Sequence, residues 1–193
     1  MDAHTTKVLE YEKVRALLLA HASCELGRER VRAMAPLTDL REVEQRQAET
    51  TEARKLLDDL GGIPLGGIRD VRGAVDRASR EGVLQPSELL DIADTLAAAR
   101  RLKFFLARHR ANYPLLAALT VDISDLNALE QEIRSAINDH GEILDNASPE
   151  LAAIRRSLAE RRNRIYRSLE SILRGQAQAV QEDVVTFRNG RFV

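Results

Sequence analysis

Between residues 149 and 174 the sequence carries seven arginines against three glutamates, a local net charge of +4. Arg156, Arg164, Arg167 and Arg174 recur on one side of a helical wheel, interrupted by Glu160. Guanidinium groups stay charged and their fork of donors matches phosphate oxygens. Such a stripe fits a nucleic-acid backbone, whose charge it neutralises without reading bases. A solvated helix face has the same composition, and spacing alone leaves both readings open.

Catalytic chemistry finds no comparable pattern. No G-x-x-x-x-G-K-[ST] run is present, so the phosphate cradle of a nucleotide hydrolase, with its lysine and magnesium-binding hydroxyl, is missing. The pairs Gly61-Gly62 and Gly66-Gly67 follow a helical pattern without a strand or a lysine, which suits a turn or helix cap. Asp139, His140, Glu142 and Asp145 make an acidic loop cluster that lacks the register of a calcium loop. His4, His21 and His109 are isolated and Cys24 has no base nearby, so no nucleophilic constellation is visible. The sequence nominates no catalytic, metal-binding or cofactor-binding residue; the four arginines are its only candidate site.

Those arginines need a straight scaffold, and the pattern around them supplies one. Ser148 can cap a helix with Pro149 in its first turn and Glu150 near the positive end of the dipole, and Arg174 with Gly175 closes it. At ~1.5 Å per residue this helix would be about 37 Å long. Leu151, Ile154, Leu158, Ile165, Leu169 and Ile172 fall within a stripe of roughly 60°, a coiled-coil-like seam expected to pack along one line against a neighbour.

Upstream, helical periods dominate. Val8, Tyr11, Val14, Leu18 and Leu19 mark one helix, and Leu26, Arg30, Val31 and Met34 a second, closed by Pro36. Asp39 and Glu42 read as a capping box opening a long acidic helix that Gly61 and Gly62 end after Leu60. A short helix is expected near Asp70 to Arg80. A longer one starts at Pro86 with Leu89, Leu90, Ala93, Leu96, Leu102 and Phe105 on its apolar stripe, and another carries Leu126, Leu129, Ile133 and Ile137. Val184 to Phe187 then reads as a strand, Asn189-Gly190 as a type I′ turn, and Arg191 to Val193 as the start of the partner strand. Because the chain stops inside an expected strand, position 193 is expected to be a truncation. The expected fold is mainly α: a helical bundle over 1–147, then a long protruding helix and a short β-hairpin over 148–193.

Bulk properties set the limits. With 193 residues, 44% hydrophobic and 31% charged, the chain can bury a core. Lys plus Arg (29) nearly equals Asp plus Glu (30), so nucleic-acid binding has to come from local clustering. One cysteine makes no internal disulfide and suits a reducing cytoplasm. The N-terminus lacks a signal-peptide layout, and no apolar stretch reaches the ~20 residues of a membrane span. Aromatics at 4%, with no Trp, argue against a stacking platform for single strands or RNA.

Several ordered blocks carry a family resemblance. Leu9-Glu10-Tyr11-Glu12-Lys13-Val14, Glu25-Leu26-Gly27-Arg28-Glu29 and Pro36-Leu37-Thr38-Asp39 open it. Pro64-Leu65-Gly66-Gly67-Ile68-Arg69-Asp70, Leu89-Leu90-Asp91-Ile92-Ala93 and Ala147-Ser148-Pro149-Glu150-Leu151 with Ile154-Arg155-Arg156 continue it, and Val185-Thr186-Phe187-Arg188-Asn189-Gly190-Arg191-Phe192-Val193 completes it. In order and spacing these blocks resemble the start of the second bacterial MutS paralogue, the Smr-bearing MutS-two type, over essentially the whole chain. The resemblance implies a helical core and lever, with the long basic helix climbing toward a clamp subdomain that the hairpin begins. It implies a homodimeric parent acting on DNA, or on ribosomal RNA at stalled ribosomes, in suppression of recombination or ribosome rescue. ATP and Mg²⁺ would belong to ATPase and nuclease domains of that parent beyond this sequence. The other reading is a purely structural helical interaction or oligomerisation module that never touches nucleic acid.

Overall fold

Helix formers fill most of the chain, and Gly61, Gly82, Pro86, Pro114 and Pro149 mark where helices stop and start. The computed structural model describes residues 3–175, 187–188 and 191–192, with side chains over 4–171. The helices are α1 (Ala3–Val8), α2 (Tyr11–His21), α3 (Glu25–Arg32), α4 (Leu40–Leu60), α5 (Arg72–Ser79), α6 (Pro86–Arg108), α7 (Pro114–Ala118), α8 (Asn127–Ala136) and α9 (Pro149–Gly175), with a 3-10 turn at Asp145–Ala147. Contacts divide the chain into two compact units, Met1–Glu142 and Ile143–Val193. Among the described residues, no helix is long and apolar enough to cross a membrane.

Several ends follow from capping chemistry. Asp39 accepts from the Glu42 amide at 3.0 Å to open α4, and Gly61, in the left-handed region at φ 74°, closes it. Pro86 stands in the first turn of α6, where the Glu88 carboxylate accepts from the Gln85 amide at 2.9 Å. The helix expected from Val8 through Leu19 is instead broken, with Glu10 at φ 51° between α1 and α2. A left-handed residue cannot continue a right-handed helix. The pattern-based reading also passes over α7, a single turn too short to show a period.

In the first unit α6 is the central element, with α8 and α7 packed on it and α4 on α7. One core cluster joins Leu56 of α4, Leu106 of α6, and Tyr113, Leu116 and Ala117 around α7. The other joins Ala93 of α6 to Ile133 and Ile137 of α8. Polar groups tie the same elements. Glu130, only 4% exposed, pairs with Arg100 at 2.9 Å, and Arg134 reaches Asp94 at 2.6 Å. Glu52 of α4 caps α7 by accepting from the Leu115 and Leu116 amides at 3.1 and 3.0 Å. The loop after α4 is pinned to α6: the Gly66 carbonyl accepts from Arg101 at 3.2 Å, and the Arg69 amide donates to the Thr95 hydroxyl at 3.1 Å.

The second unit is built on α9 and the 3-10 turn beside it. Arg155 donates to the Ile143 carbonyl at 2.9 Å and pairs with Asp145, so this turn groups with α9; the sequence pattern alone draws the boundary at 147/148. Phe187–Arg188 and Arg191–Phe192 form a two-residue antiparallel ladder, Phe187 opposite Phe192 and Arg188 opposite Arg191. The rest of the hairpin expected over 184–193, with the Asn189-Gly190 turn expected to join it, lies outside the described residues.

Candidate nucleic-acid interface

The N-terminus of α9 is capped as its sequence requires: the Ser148 hydroxyl accepts from the Leu151 amide at 3.0 Å. Pro149 follows in the first turn, and Glu150 sits where the dipole favours a carboxylate. A helix of 27 residues results, straight enough in principle to hold side chains in line over many turns.

Arg156, Arg164 and Arg167 are exposed on this helix. At ~1.5 Å rise, Arg156 and Arg164 stand about 12 Å apart along the axis, and Arg167 about 4.5 Å further on. Among the described residues, no side-chain ion pair or hydrogen bond engages any of the three. Arg174 is also on α9, but its side chain lies outside the described residues. The other arginines differ in their contacts. Arg155 is held by Asp145 and the Ile143 carbonyl, and Arg162 lies 6.0 Å over the Tyr166 ring.

The seam of α9 departs from expectation. Leu151 and Leu169 are half-buried, yet Ile154, Leu158 and Ile165 are 58%, 64% and 46% exposed. The sequence pattern predicts a seam packed against a neighbour; here its middle is open. Ala153, Ile154, Ser157, Leu158 and Arg161 line a shallow depression on this side. A one-sided apolar stripe requires burial somewhere, and periodicity does not say whether the covering partner lies within the same stretch of chain. The helix thus presents a cationic face and an apolar face, chemistry suited to neutralising phosphates and to docking.

Over its whole length the chain is 47% identical to the Endonuclease MutS2 of Symbiobacterium thermophilum, of which it covers 24%. The Endonuclease MutS2 proteins of Pelotomaculum thermopropionicum and Brevibacillus brevis are each 41% identical over the whole chain, which covers 25% of either. No family model matches. The chain matches the first quarter of MutS2. It therefore spans about a quarter of the length of the curated relatives it resembles. The arginine stripe falls on α9, the last of the helices described above.

The polar ties of the first unit leave little trace in the sequence. Arg100 and Glu130 are thirty residues apart, as are many chance pairs, and only packing of α6 on α8 brings them together. The one available signal is Glu130 with Arg134, an i,i+4 pair bordering an apolar helix face.

Proposed function

We propose that this chain is the non-catalytic lever and clamp-base segment of a MutS2-type nucleic-acid-binding protein, in which α9 lays Arg156, Arg164 and Arg167 along a phosphate backbone and Arg174 extends the line. The single observation that supports this reading is that three aligned arginines stand exposed without an acidic partner among the described residues. Two carboxylates stand one turn from these four arginines, Glu160 beside Arg156 and Arg164 and Glu170 beside Arg167 and Arg174, so the face keeps a cationic excess. In this reading the longer protein is a cytoplasmic homodimer with ATP-binding and nuclease domains, and acts on DNA in suppression of recombination. Ribosomal RNA at stalled ribosomes is its second target. The relatives' printed name, endonuclease, supports the nuclease part.

Binding of a labelled DNA duplex at low salt, followed by fluorescence anisotropy, tests the reading. Arg156→Ala, Arg164→Ala and Arg167→Ala together should weaken affinity at least tenfold, at roughly 1 kcal/mol or more per lost charged contact in low salt. Replacing Arg41, Arg46 and Arg54 on α4 removes equal charge elsewhere and should matter much less. The open seam at Ile154, Leu158 and Ile165 favours a second reading, a mechanical or oligomerisation module. Equal behaviour of the two triple variants would select it.

A further inference from the structure

Residues 95–121 contain Arg100, Arg101, Lys103, Arg108 and Arg110 and no aspartate or glutamate. Much of this run is the C-terminal half of α6, where Phe104 is 75% exposed. Its neighbour Phe105 packs on the Leu56–Leu106 core and stands 5.0 Å from the His109 ring, which is 6.5 Å from Tyr113. Phe104 is about 100° away around the helix and does not share that stack.

Arg100 and Arg108 lie one turn before and one turn after Phe104 on the same face. Arg100 is engaged by Glu130, Arg101 by the Gly66 carbonyl and Lys103 by the Ile123 carbonyl. Arg108 and Arg110 are exposed, with no side-chain partner among the described residues. A base in the last turn suits the helix dipole, but the dipole gives no reason to hold a phenylalanine in water. The helical neighbours of Phe104 are alanines and arginines, so α6 itself adds no apolar side chain of any size beside the ring on this face. An isolated ring flanked by cations suits a stacked base with its phosphates. The carboxylate that Arg100 faces, Glu130, is already paired with it.

We infer that Phe104 and Arg108 form a binding site for single-stranded nucleic acid: the phenyl ring stacks on an unpaired base and the guanidinium group one turn on holds an adjoining phosphate. A duplex keeps its bases stacked on one another and offers this ring nothing. The site belongs to the first unit and is independent of the function proposed for α9.

Binding of labelled oligothymidylate to the whole chain at low salt tests it. Phe104→Ala should weaken affinity about tenfold, the range for losing one stacked base. Phe104→Leu should behave like Phe104→Ala, and Phe104→Trp should restore or exceed wild-type binding. Arg108→Ala should reduce the log–log salt slope by about 0.7. Duplex affinity and the melting temperature should be unchanged by Phe104→Ala. Wild-type binding by Phe104→Leu would show a generic apolar contact instead, and a marked fall in melting temperature would show a packed ring. Either result, or a wild-type chain that ignores oligothymidylate at low salt, overturns the site. Loss of duplex binding in the α9 arginine variants would leave it untouched.

Discussion

Tyr113 is 3% exposed, and its hydroxyl donates to Asp59 at 2.6 Å, joining the start of α7 to the end of α4. Donation to Asp59, then desolvation, then the charges of Asp59 and Glu52 push its pKa from 10.0 up to about 12. The folded state keeps a proton that the unfolded chain releases, so this contribution is complete below pH ~10 and is lost as pH rises toward 12. Tyr113→Phe should cost about 1 kcal/mol in urea unfolding at neutral pH and flatten the alkaline decline. An unchanged decline would place its origin elsewhere. Asp70 behaves oppositely. The Arg72 side chain and amide hold its carboxyl at about 2, so its stabilisation is present above the usual 3.8 and fades as pH falls toward 2. At this scale the sequence showed what local chemistry dictates, such as the caps at Asp39 and Ser148. It did not show Tyr113–Asp59 or Arg100–Glu130, because partners distant along the chain meet only through packing.

Among the elements, the Gly66-Gly67 loop makes the sharpest comparison. Gly67 has φ +92°, and a Cβ there would meet Arg101 at 3.3 Å and Ala98 at 3.5 Å; at Gly66 nothing lies within 4 Å. Gly67→Ala should therefore cost about 1–2 kcal/mol in chemical denaturation, and Gly66→Ala should change little. Equal effects would mean that the loop is not held against α6. The α9 seam gives a prediction opposite to its sequence pattern. Because Leu158 is 64% exposed, Leu158→Asp should move stability by no more than about 0.5 kcal/mol, whereas a packed seam would lose several. Long helices with clear periods, α4, α6 and α9, were legible as sequence. The break at Glu10 and the single turn of α7 were not, since backbone geometry at one residue and a five-residue helix leave no periodic trace.

Over the whole molecule, charges that balance at 29 against 30 conceal their segregation. Basic side chains gather on α9 and along 95–121, and acids on α4, so function has to be sought in local fields. The sequence located the α9 stripe correctly on a helix. Composition argues against a stacking platform because aromatics are few, and the exposure of a single ring, Phe104, is not legible in composition. The similarity to the first quarter of MutS2 and the exposed Arg156, Arg164 and Arg167 of α9 meet in one quantity, the salt dependence of duplex binding. If Arg156, Arg164, Arg167 and Arg174 each neutralise a phosphate, the log–log slope should be roughly 3 to 4 in magnitude, and each Arg→Ala should lower it by about 1 whatever the DNA sequence. A slope that the α9 arginines leave unchanged, or that falls equally when Arg41, Arg46 and Arg54 are replaced, would contradict the account.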